Sequence, residues 1–177
     1  MSFLSSLQLM SQYNQWMNQK VYQTVDQLEP EELTGDRGAF FGSILGSLNH
    51  IYVADVIWLS RFAQHPQKYA ALSTLPELPS YKLLDQTVAN DLETMTIIRQ
   101  KLDEIIINWC QELKSEELET NLNYHDTKGN LYRKNFGQLI YHFFNHQTHH
   151  RGQVTTLISQ QGLDVGVTDL LKLLPEQ

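Results

Sequence analysis

The chain of 177 residues holds a single cysteine, Cys110, so it can form no internal disulfide. That excludes the small disulfide-stapled secreted scaffolds and suits a reducing compartment. Only five prolines occur, at positions 30, 66, 76, 79 and 175, and none interrupts a long helical pattern. No run of about 18 apolar residues exists, so no membrane span is expected. No basic-then-apolar order near the start suggests a secretory signal. Positive charge is also scarce. Thirteen basic residues against 20 acidic ones give a formal charge of −7, which argues against a general nucleic-acid binder. Repeats and low-complexity tracts are lacking. The expectation is one domain over 1–177, cytoplasmic, with a small-molecule substrate and neither nucleic acid nor membrane as partner.

What is present is helical periodicity. Leu7, Met10, Asn14, Met17, Val21, Thr24 and Leu28 recur in steps of three and four, predicting a helix over 3–28 that Pro30 ends. A second helix is predicted over 42–64, with a stripe of Ser43, Gly46, Ser47, His50, Val53, Ala54 and Ile57, and Pro66 as its stop. A third is predicted over 80–113, with Ser80 as N-cap and a stripe that includes Leu84, Val88, Leu92, Met95, Leu102 and Trp109. Residues 118–133 change texture, with a Gly129-containing turn between short alternating segments, and read as a small hairpin or an irregular loop. The fourth helix starts at Asn135, which with Gln138 resembles a capping box, and Gly162 sits where a C′ glycine would close it. A short helix over 168–174 should pack its leucines back on the rest. The fold class is all-α, a four-helix bundle with a hairpin or loop inserted before the last long helix.

The fourth helix carries the chemistry. Four of the seven histidines lie between positions 142 and 150, and His142, His146 and His150 are spaced by four. On a wheel of about 100° per residue, Leu139, Phe143, His150, Gln153 and Leu157 fall within about 60° of His146, so His146 and His150 face inward. A single inward histidine is ordinarily satisfied by a neighbour; an i, i+4 pair can reach one ion. The third ligand must come from another helix, and His50, set among small and apolar residues, is the candidate. Three neutral imidazoles leave an open coordination position, the pattern of catalytic metals, and suit Zn²⁺, Ni²⁺ or Fe²⁺. His142 sits at the stripe's edge and His149 on an exposed flank. His65 and His125 fall in predicted loops and are expected at the surface. Asn14 either faces the site cavity or is a buried, hydrogen-bonded amide, and Gln153 is placed to orient a ligand. Arg151 points off the stripe toward a surface or interhelical ion pair, and Gly152 suggests close helix packing.

Several segments together resemble the DinB family, the damage-inducible proteins grouped with YfiT-like metal-binding bundles. They are Tyr13 to Asn18, Arg37 to Ser43, Leu48-Asn49-His50, Asp55 with Trp58 and Arg61, the Tyr124 to Gly129 turn, His142 to Gln153, and Asp169-Leu170-Leu171. Their order and spacing span nearly the whole chain. The resemblance implies an up-down-down-up four-helix bundle, a homodimer, and a divalent metal held by His50, His146 and His150; His142 matches the histidine-rich helix without being a usual ligand. Relatives in the wider superfamily are metal-dependent transferases or isomerases that use bacillithiol, mycothiol or glutathione. The expected function is therefore activation of a low-molecular-weight thiol cosubstrate for transfer to an electrophile. A metal-dependent hydrolase is the second reading, weakened because no acidic residue is placed beside the histidines to act as base. A non-enzymatic stress-response bundle that binds metal or ligand is the third. No catalytic residue beyond the ligands is assigned.

Overall fold

The computed structural model describes residues 2–77, 84–174 and 176. Four long helices pack side by side: α1 (Phe3–Val25), α3 (Ile44–Phe62), α4 (Leu92–Glu112) and α6 (Phe136–Ser159). Two short helices, α2 (Pro30–Thr34) and α5 (Ser115–Leu118), lie in the connections, with 3₁₀ turns at Ala71–Glu77 and Leu170–Leu173. The main packing pairs are α1 with α4 and α6, and α3 with α6. Each long helix begins on a side-chain cap. Ser2, Ser43, Asp91 and Asn135 accept from the backbone N–H of Ser5, Gly46, Thr94 and Gln138, the bond that satisfies a first-turn donor.

The predicted stripes are the buried ones. Leu7, Met17 and Val21 of α1, Val53 and Ile57 of α3, Met95, Leu102 and Trp109 of α4, and Leu139, Phe143 and Leu157 of α6 all join one apolar core. The hairpin is present: β1 (Asn121–His125) pairs antiparallel with β2 (Leu131–Asn135). Asp126 closes its turn by accepting from the Lys128 and Asn130 amides, and Gly129 takes φ +86°. Helix α6 ends as expected. Gly162 is left-handed at φ +79°, with Gly162 N–H donating to Ser159 and Leu163 N–H to Ile158, the bonding of a Schellman cap.

Four expectations need correction. Helix α1 stops at Val25, and Pro30 opens α2 rather than merely ending α1; its missing N–H costs nothing at a first helical position. The third helix starts at Leu92, with Asp91 as cap; Ser80 lies outside the described residues. Val88 and Ala89 instead donate their amides to the Asn49 side chain, so this stretch runs along α3 with its backbone groups already committed. Gly152 has no tight neighbour, since a Cβ there would meet nothing. In the C-terminal 3₁₀ turn Leu170 and Leu173 pack on the core, but Leu171 stays exposed.

The interior is also more polar than the stripes suggest. Arg99 on α4 is 2 % exposed and bridges Asp55 of α3 at 2.6 Å and Asp103 of its own helix at 2.8 Å. Gln147 of α6 donates to Asp55 at 2.8 Å. Asn14 and Asn18 of α1 donate to Asp103, and Arg151 of α6 donates to Asn14. One network thus touches all four long helices. Burial pushes the Asp55 carboxyl up to about 6 against the opposing Arg99 charge, while the two aspartates hold Arg99 more firmly protonated. With a guanidinium at 2.6 Å, the charged pair is the form this geometry supports.

Candidate metal centre

Helix α6 places His146 and His150 one turn apart on its inward side, and α3 places His50 opposite them. One ring nitrogen from each of the three histidines lies within 4.8 Å of the other two. His50 is buried, and His146 and His150 are half-buried. Their rings sit 5.3, 4.5 and 4.3 Å apart by centroid.

Hydrogen bonding fixes which nitrogens face the centre. The Nδ1 of His50 lies 2.9 Å from the Leu84 carbonyl, which can only accept, so Nδ1 carries the proton and Nε2 a lone pair. The Nδ1 of His150 lies 2.8 Å from Oε1 of Gln153, and the same reasoning leaves its Nε2 unprotonated. These two Nε2 atoms are 3.3 Å apart. Two lone pairs at that distance repel unless a cation lies between them. Nitrogens bound to one ion at the usual 2.0–2.1 Å with a tetrahedral angle would lie about 3.4 Å apart. The donor set therefore fits a divalent metal, and Leu84 and Gln153 are the outer partners that orient two of its ligands.

The electrostatics agree. Burial, and then the neighbouring imidazoles, lower His146 to about 3. Burial is also the leading cause that lowers His50 and His150, with the Leu84 and Gln153 bonds opposing it. All three rings are neutral at physiological pH, the form that can ligate.

Phe41 forms the aromatic wall of the site. Its ring stacks on His50 at 3.7 Å and 15° and meets His150 edge-on at 5.6 Å. Gly38 and Gly42, both at positive φ, fold residues 38–42 into a tight turn closed by Gly42 N–H to the Ala39 carbonyl at 2.8 Å. Gly46 makes room for it, because a Cβ there would collide with the Phe41 carbonyl oxygen. Gly46 thus admits this turn beside His50.

The predicted ligands converge, and Gln153 orients His150 as expected. His142 is exposed and meets Trp58 edge-on at 5.1 Å, and His149 is exposed. Asn14 belongs to the buried network and not to the histidine site. One placement is overturned. His65 is 4 % exposed; it bonds Thr120 and stacks on Phe136, because the loop it occupies is folded onto the core. Arg151 takes the interhelical alternative, but buried and bonded to the Asn14 amide of α1 in place of an anion. His125 is exposed as expected, though in strand β1. Sequence reasoning missed Phe41 and Leu84. The glycine-bracketed aromatic pair ahead of Ser43 was a usable signal for the first, whereas a backbone carbonyl leaves none.

A metal-fitting histidine triad between two helices of a four-helix bundle is what the fold and site define. The DinB family model matches residues 2–177, and the chain belongs to the DinB family. It is 28 % identical over 158 residues to Protein DinB of Bacillus subtilis (strain 168), covering 89 % of this chain and 87 % of that one. No solved structure gives a significant match.

Proposed function

We propose that this protein holds one divalent ion at His50, His146 and His150 and activates a low-molecular-weight thiol for transfer to an electrophile. The observation that carries the metal reading is the 3.3 Å approach of two Nε2 lone pairs. When bound, the ion supplies a lowered pKa for a coordinated thiol, giving thiolate at neutral pH. The protein's own groups do the rest. Leu84 and Gln153 hold two imidazoles in the ligating tautomer, and Phe41 shields one side of the triad and offers apolar surface to an incoming molecule.

Hydrolysis ranks second. The buried carboxylates Asp55 and Asp103 are committed to Arg99, Gln147 and the α1 amides, so no carboxylate base stands beside the triad among the described residues. The test of the first reading is thiol transfer to a model electrophile by metal-loaded protein, across several thiols. A rate above that of free thiol, lost in His146→Ala, is the expected result. No acceleration by the loaded protein with any thiol would overturn it. The same proposal includes a homodimer, as two-fold assemblies are common; a monomer mass by light scattering at micromolar concentration would contradict it.

A further inference from the structure

A recess between α1 and α4 shares no residue with the histidine triad. It encloses about 560 Å³, within the range of small-molecule sites. Apart from Ile97, every side chain that lines it carries a polar group, so an apolar ligand has little to gain there.

Its floor holds an incompletely bonded guanidinium. Arg99 lines the recess and is 2 % exposed. Its Nη1 donates to Asp55. Its Nη2 comes within 2.8 Å of Asp103 as an ion pair but is not aligned for a hydrogen bond, and its Nε faces no acceptor among the described residues. Nε and Nη2 form one edge of the guanidinium fork, an edge that takes two oxygens side by side. A buried donor without an acceptor is costly, so this edge calls for a partner. Tyr22 lines the same floor at 6 % exposure. Burial keeps its hydroxyl protonated, and that hydroxyl makes no hydrogen bond among the described residues.

Charge decides which acceptor fits. Asp26, Glu93 and Asp103 line the recess, with Arg99 as its one cation, and Asp55 already pairs with Arg99. A carboxylate or phosphate would meet three like charges. An ammonium would leave the fork empty. An uncharged ligand with neighbouring oxygens meets both demands, because vicinal hydroxyls accept from the fork and donate to carboxylates. Gln19, Gln23 and Gln100 add amides that donate and accept.

We propose that the α1–α4 recess binds a neutral polyol or sugar, with Nε and Nη2 of Arg99 and the Tyr22 hydroxyl as floor contacts and the three glutamines as walls. The site stands apart from the metal reading and does not depend on it.

Water would occupy the same positions without selecting among solutes, so the test turns on selectivity. The neutral probes are myo-inositol and D-glucose. D-glucuronate adds a carboxylate, cyclohexanol lacks a vicinal pair, and putrescine stands for an ammonium ligand. Binding to the full chain is followed by the ¹H–¹⁵N shifts of the glutamine side-chain amides. At least one neutral polyol should saturate with a Kd of about 1 mM or tighter, and the other three probes should bind at least about tenfold more weakly. Tyr22→Phe, which keeps the ring, and Gln23→Ala, at an exposed position, should each weaken the polyol several-fold with helicity and metal content unchanged. Arg99→Lys keeps the charge between the two aspartates but not the fork, and should abolish the preference over cyclohexanol. Shifts that fail to saturate by about 10 mM would mean water only and would overturn the site. So would glucuronate, cyclohexanol or putrescine binding as tightly as the polyol, or an affinity that survives both Tyr22→Phe and Gln23→Ala.

Discussion

His50 and His150 each use one nitrogen to hold their orientation and leave the other bare, a donor arrangement that could hold a cation. Metal content should be about one ion per chain and should fall sharply in His50→Ala, His146→Ala and His150→Ala, with exposed His125→Ala as the unaffected control. His65 is unsuitable for that purpose because it is buried. Gln153→Ala removes an outer partner and should weaken metal affinity by about 10- to 100-fold without abolishing it. Acid should release the metal, since protonated imidazoles cannot ligate. The lowered values at all three rings, about 3 at His146, place that release below the ordinary histidine range. Half-release at or above pH 6.5 in a metal-content titration would contradict this. The metal-free protein shows the same sign. Its three rings bind fewer protons folded than unfolded below about 6.5, so their contribution to stability should decline as pH falls, down to about 3 for His146, while the raised Asp55 carboxyl acts in the opposite direction. At this scale the histidine cluster was legible because helical spacing is local: positions 146 and 150 must share a face. His50 was legible only as a candidate, and Leu84 not at all, since long-range bonds to backbone leave no mark on residue type.

Among the elements, the helix stripes were readable and the joints were not. Apolar periodicity reports which face is buried, but not where a helix begins when a flanking segment keeps the same texture. Leu84 and Val88 continue the α4 stripe on paper, yet Asn49 takes the Val88 and Ala89 amides and the helix starts only at Leu92, capped by Asp91. The polar network escaped for a similar reason, as Asp55, Arg99 and Asp103 read singly like ordinary helix-surface charges. Its weight can be measured. Arg99→Ala leaves two buried carboxylates without a counter-charge and should cost about 3–5 kcal/mol in urea unfolding; a loss under 1 kcal/mol would mean that the network is not held together by that charge. Gly46→Ala drives a methyl into the Phe41 carbonyl. It should destabilise by about 1–3 kcal/mol and weaken metal binding by displacing Phe41 from His50. Normal stability with normal metal affinity would show that the turn does not shape the site.

For the whole molecule, the relation of metal to fold follows from what holds α3 and α6 together. Phe62 of α3 meets Phe143 of α6 at 5.8 Å, and Asp55 meets Gln147 at 2.8 Å, so the helices that carry the ligands are joined by contacts outside the triad. The apolar core draws on all four long helices. A metal that bridges two elements already packed adds linkage energy and is not required to nucleate the fold. Its loss should remove only what mass action supplies, about 2.7 kcal/mol at free metal a hundredfold above Kd. Chelation should therefore lower the melting temperature and leave the far-UV helical signal in place at room temperature. Zinc that served as a folding nucleus would behave differently, because its binding energy would be folding energy. A collapse of helicity on chelation would mean that the three imidazoles hold α3 and α6 together, and would turn the open site proposed here into a structural one.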